Sequence, residues 1–197
     1  EYNNKITTLR TEVEHELTTG ILAVLDGEDD RQRARRLLRT HRRRRQPARR
    51  RAQGAILNAR ILWTFSAAYR LLHRPEYLDT ATRAKRYIIN RFYDNDFGGV
   101  YWSLTADGKP LDDKKQVYAQ ACIYGLSEYA RATGDREALD YAVKLFETVE
   151  KYSFDRDRNG YIEAFTREWK PIEDMRLSDK DENTSKTMNT HLHILEP

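Results

Sequence analysis

Asp94-Asn95-Asp96-Phe97-Gly98-Gly99-Val100-Tyr101-Trp102 and Asp155-Arg156-Asp157-Arg158-Asn159-Gly160-Tyr161-Ile162-Glu163 are two copies of one pattern. Both read D-x-D-x-[GN]-G and continue into aromatic and β-branched residues. Gly or Asn permits the positive φ of a tight turn, and apolar alternation after it suits a short strand. The copies lie 61 residues apart. A period of that length holds two helices and a loop, the signature of a repeat architecture.

The chain reads as helix pairs joined by glycine-containing loops. Residues 6–21 are amphipathic. Residues 55–72 are rich in apolar and small residues, as a buried helix requires. Residues 76–92 are amphipathic again, and 115–132 and 137–152 form a further pair. Between that pair, Gly134 is a helix stop and Asp135 an N-cap. A final helix is expected to begin near Thr184 or Ser185.

The period calls for a third copy near residue 33, where an arginine block stands instead. Residues 31–51 hold twelve arginines and no acid; without them the net charge of +4 becomes −8. With permitted codons, residues 23–48 read one nucleotide out of frame as RYWMEKTIDNERGGFYGRIDGDDSLH. That peptide contains D-N-E-R-G-G-F-Y, the missing copy, in the expected place. On this reading 23–53 is an aberrant, solvated, poorly packed segment of a single domain spanning 1–197. Arginine favours helix, yet like charges repel along it and no face can be buried.

As an evolved feature the block would read as a polyanion or nucleic-acid patch. It has no interleaved aromatics for base stacking and matches no groove-docking module. Specific nucleic-acid binding is therefore not expected. One cysteine, Cys122, excludes an internal disulfide and fits a reducing compartment. No apolar run approaches the length of a membrane span, and residues 1–5 show no signal segment. The expected setting is cytoplasmic.

The run Met188 to Pro197 places an amide and two imidazoles at the start of an apolar periodic stretch. On a helix Asn189 and His193 share a face, with Glu196 close behind, while His191 points elsewhere.

Several stretches, in this order along the chain, resemble the N-acylglucosamine 2-epimerase superfamily, and within it the cellobiose 2-epimerases. They are GAILNARILWTFS (54–66), GGVYWS (98–103), KQVYAQA (115–121), IYGLSEY (123–129) and MNTHLHILE (188–196). The resemblance implies an all-α fold, the (α/α)6 barrel of twelve helices with short β-hairpin loops. Six repeats of 61 residues need roughly twice this length, so an incomplete barrel, its N-terminal half, is expected. Its unpartnered inner helices should expose apolar surface and promote non-specific self-association. The family usually has two residues where this chain has only Cys122. A lost residue turns the rest of a helix by about 100°, so Tyr118 and Tyr124 should lose their relative facing. Gln53 stands where a lysine is common.

By the same resemblance the chemistry is 2-epimerisation of a reducing sugar. The ring opens, the C2 proton leaves, an enediolate forms, and the proton returns to the other face. Histidine suits the proton steps and a fixed cation the developing oxyanion. No metal or cofactor is required. His193 is assigned ring opening and substrate binding; Arg60, Tyr118, Asn189 and Glu196 are substrate-binding residues. Trp63, Tyr101 and Trp102 are read as packing or loop residues, and His15, His41, His73 and His191 carry no claim. A guanidinium on so apolar a helix is expected to be buried among partners. The main proton-transfer histidines and the sugar-clamping tryptophans belong to the second half, so this chain is expected to be inactive on cellobiose or lactose. N-acylglucosamine 2-epimerase and mannose-type aldose–ketose isomerase are the alternatives on the same barrel. A polyanion-binding protein is the alternative of another class.

Overall fold

A computed structural model describes residues 2–22, 52–111 and 114–196. The arginine block and the expected third loop copy lie outside the described residues. The chain divides into two compact units, Glu1–Ala48 and Arg49–Pro197. In the first, α1 (Tyr2–His15) runs into a wider-wound turn over Glu16–Ile21.

The second unit is mostly helical. Short strand β1 (Gln53–Gly54) leads into α2 (Ala55–Leu72), which ends at His73 in the left-handed conformation. Helix α3 (Pro75–Tyr87) has Pro75 in its first turn, where a missing N–H costs nothing, and closes in a wider turn through Phe92. Strands β2 (Ser103–Leu104) and β3 (Lys114–Gln116) follow. A 3₁₀ segment, Val117–Ala121, then feeds α4 (Cys122–Thr133). Helix α5 (Arg136–Tyr152), β4 (Ala164–Thr166) and α6 (Met188–Leu195) complete the unit. Gly134 adopts φ 76° and the Asp135 carboxylate accepts the Ala138 N–H, as the sequence requires of a stop and a cap.

Helix α2 packs on α3 and on α4, and α4 packs on α5. The α2 stripe of Ala55, Ala59, Leu62 and Phe65 is buried, together with Leu126 of α4 and Leu145 of α5. The α2–α4 crossing is close because Gly125 has no side chain: a Cβ there would stand 2.7 Å from Ala59 O.

The two D-x-D loops fold alike. Asp94 and Asp155 each accept the N–H groups two and three residues on. Lys115 grips Asp94 at 2.8 Å and Gly98 O at 2.7 Å; Lys186 grips Asp155 at 2.7 Å and Asn159 O at 2.5 Å. Strand β1 pairs antiparallel with β2, and β3 with β4.

Two boundaries differ from the sequence reading. Lys115 and Gln116 belong to β3, because pairing with Phe165 and Ala164 outweighs their helical propensity. Helix α6 starts at Met188, with Thr187 Oγ1 accepting the Thr190 N–H at 3.2 Å. Residues 183–185 serve the preceding loop instead: Asn183 bonds the backbone at 173 and 175, and Ser185 O accepts from Glu163 N. Apolar side chains remain exposed on α6 (Met188, Leu192, Leu195) and on α5 (Leu139, Val143, Phe146).

Candidate functional site

Helix α2 places Ile56, Arg60 and Trp63 on one stripe beside its buried face, at i, i+4 and i+7. That stripe, Ala121, Tyr124 of α4, His193 of α6 and Glu196 border a hollow of about 430 Å³. Trp63 and Tyr124 stack nearly parallel, ring centroids 5.6 Å apart and planes 12° apart. Burial pushes the Tyr124 phenol upward, against the pull of Arg60 and with the push of Glu196.

At the rim, Tyr118 Oη lies 3.1 Å from His193 Nε2, and the rings meet edge to face at 4.3 Å. Trp102 tilts against Tyr118 as well, its centroid 5.7 Å away. His193 Nδ1 lies 2.9 Å from Asn189 O. A carbonyl only accepts, so Nδ1 carries a proton and Nε2 is left to meet the phenol. The helix that carries His193 is anchored from below. Buried Glu163 accepts the Thr187 N–H at 2.6 Å through one oxygen and the Thr190 hydroxyl at 2.7 Å through the other. A carboxylate at a helix N-terminus also complements the helix dipole.

The structure thus brings Arg60, His193 and Glu196 to one hollow and Tyr118 to its edge through His193. Asn189 does not join them. Its carbonyl meets His193 Nδ1, and the residue borders a separate concavity of about 250 Å³ with Arg176, Glu182 and Thr187. A side chain in the first turn of α6 leans toward the N-terminus, hence toward the 175–187 loop.

Arg60 is exposed, not buried among partners, because position 60 faces the open side of α2. Trp63, read as a packing residue, is 40% exposed and floors the hollow with Tyr124. Tyr101 and Trp102 behave as packing residues: Tyr101 is buried over the Lys115 ammonium, 4.7 Å from its ring centroid.

Between β3 and α4, Val117–Ala121 wind as a 3₁₀ segment that carries Tyr118. Tyr118 reaches His193, and Tyr124 faces the hollow that His193 borders.

The sequence reading gave no site role to Trp63, Tyr124 or His191. The i+3 spacing of Arg60 and Trp63 was a usable sign for the first. For His191 the sign was its place five residues after Lys186, as Gln120 follows Lys115. Among the described residues no group of three or more His, Cys, Asp or Glu side chains could hold a metal ion. No described helix is long and apolar enough to cross a membrane.

The chain is similar to a cellobiose 2-epimerase of Bacteroides fragilis, 69% identical over 146 residues, which is 74% of this chain and 37% of that protein. A cellobiose 2-epimerase of Ruminococcus albus is 46% identical over 145 residues, 73% of this chain and 37% of that one. The chain therefore spans little more than a third of the length of these curated relatives. A solved cellobiose 2-epimerase from Spirochaeta thermophila is 36% identical, with a TM-score of 0.82 over 98% of this chain and 48% of that one. Residues 39–192 match the N-acylglucosamine 2-epimerase (GlcNAc 2-epimerase) family, and the chain belongs to that family.

Proposed function

We propose that this chain is the N-terminal part of a sugar 2-epimerase and forms about half of an (α/α)6 barrel. The substrate class is a β-1,4-disaccharide with a reducing-end glucose, such as cellobiose or lactose, and the product carries mannose at that end. The observation that carries the reading is the Tyr118–His193 pair at the edge of a hollow that also holds Arg60 and Glu196.

In this reading His193, with Tyr118 on Nε2, assists ring opening at C1, and the Arg60 guanidinium faces the C1–C2 oxygens as negative charge develops on them. The Trp63–Tyr124 stack offers an apolar plane to a sugar face. Glu196 is a polar neighbour, and Asn189, one turn before His193 on α6, is a further substrate-binding residue. No cofactor is required for these steps. The groups that exchange the C2 proton lie outside this chain, so the 197-residue polypeptide alone is inactive. Its apolar α5 and α6 stripes favour self-association. Identities of 69% and 46% to cellobiose 2-epimerases favour that substrate over N-acetylglucosamine or mannose.

The test is an assay of the purified chain, and of the chain extended to the length of its relatives, on cellobiose, lactose, N-acetylglucosamine and mannose. The expected outcome is epimerisation of the two disaccharides by the extended protein alone. Conversion of only N-acetylglucosamine or mannose, or turnover by the short chain, overturns the reading.

A further inference from the structure

His191 and Gln120 occupy matching places in successive repeats. Each lies five residues after the lysine that grips the preceding turn. Gln120 donates to Gln116 O, four residues back, at 3.0 Å, and accepts the Val100 N–H at 2.8 Å. His191 Nδ1 lies 2.6 Å from Thr187 O, also four back, and its Nε2 lies 2.9 Å from Tyr161 N. Val100 and Tyr161 are the corresponding residues of the two loops, 61 apart. Each follows a glycine that leaves room for the gripping group. A Cβ on Gly99 would stand 3.1 Å from Gln120 Oε1, and one on Gly160 2.5 Å from His191 Nε2.

These partners fix the state of the ring. A carbonyl accepts and an amide N–H donates, so Nδ1 carries the proton and Nε2 offers its lone pair. An imidazolium would carry a second proton on Nε2 and lose the Tyr161 bond. His193 has the same backbone tether, but its Nε2 meets a hydroxyl, which can donate or accept. Residues two apart on a helix point about 200° apart. His191 therefore holds the Gly160–Tyr161 turn from one side of α6 while His193 faces Tyr118 from another.

We propose that His191 is a positioning residue: as a neutral ring protonated on Nδ1 it sets the rotation of α6, and so presents His193 to Tyr118. A glutamine does the equivalent work one repeat earlier. The consequence for turnover rests on the proposed function; the positioning itself does not, so its test uses no sugar.

In the full 197-residue chain at neutral pH, ¹⁵N spectra of the imidazoles read the ring state, amide exchange reads the Tyr161 bond, and Tyr118–His193 ring Overhauser effects read the presentation of His193. His191 is expected as the neutral Nδ1–H form. His191→Gln keeps the Overhauser effects and slow Tyr161 exchange. His191→Leu loses the former and speeds the latter by roughly five- to tenfold, the loss of one net hydrogen bond. A proton on Nε2 of His191 in the unaltered chain overturns the proposal, and that measurement needs no variant to fold. So does His191→Leu with the Tyr118–His193 contact intact, or a folded His191→Gln that has lost it. Failure of the sugar assay with these results in place removes the proposed function and leaves the positioning standing.

Discussion

Tyr118 and His193 lie 75 positions apart and meet with Oη 3.1 Å from Nε2, across the junction of a 3₁₀ segment and the last helix. Neither residue alone distinguishes a site. Tyr118 is carried by that segment, and α6 is anchored by Glu163 and His191.

Tyr118→Phe keeps the edge-to-face packing and removes only the hydroxyl. Urea unfolding of this variant should show a loss of about 1 kcal/mol, the net worth of one hydrogen bond. A loss several times larger would mean that the phenol has a further buried partner.

Asp94 knots the first loop. Burial would push its carboxyl up, but bonds from Arg167 and Lys115 outweigh burial and hold it well below the usual carboxylate range. Its folded value is thus lower than its unfolded one. The stability it contributes is complete above about pH 4, the unfolded range, and drains away as pH falls from there. Asp94→Asn leaves the Lys115 ammonium buried without its counter-charge, at a cost of about 3–5 kcal/mol. Unfolding midpoints measured from pH 7 down to pH 2 should fall steeply below pH 4 in the parent and more gently in the variant.

Gly125→Ala puts a methyl against Ala59 O and must push α2 from α4. The expected cost is about 1–3 kcal/mol, as for overpacking of a close helix crossing. The stacking of Trp63 on Tyr124 should loosen with it, readable as a shift in tryptophan emission. Unchanged stability would contradict the close crossing.

The repeat was legible in the sequence because the D-x-D-x-[GN]-G loops announce themselves through residue types that few other turns need. So were α2 and the Gly134–Asp135 junction, where capping chemistry is local. Less legible was the start of α6, since Thr184, Ser185 and Thr187 are equally good caps and only the bonds of residues 183–185 to distant backbone decide among them. The gathering of side chains around the hollow was legible in part. Arg60, Tyr118, His193 and Glu196 followed from resemblance and helical spacing. That Asn189 borders a neighbouring concavity was not legible, because spacing along a helix says nothing of a loop packed beside its first turn. Trp63 was underrated because an aromatic on an apolar helix reads as core until the neighbouring helix is seen to leave it open.

The arginine block makes a prediction at the level of the gene. A third D-x-D loop is expected where residues 31–51 stand, and Gln53 takes the place of the gripping lysines Lys115 and Lys186. Resequencing should reveal a compensating insertion and deletion near codons 22 and 53. An uninterrupted frame through both would make the block a genuine part of the protein.

The central claim is that Tyr118, His193 and Arg60 serve one reducing sugar, and the kinetics of the extended protein test it most directly. With cellobiose as substrate, His193→Ala and Arg60→Ala should each lower kcat/KM by about 10²-fold or more, as expected for loss of acid–base or oxyanion assistance, with the fold retained. Parent-like epimerisation in both folded variants would contradict the account.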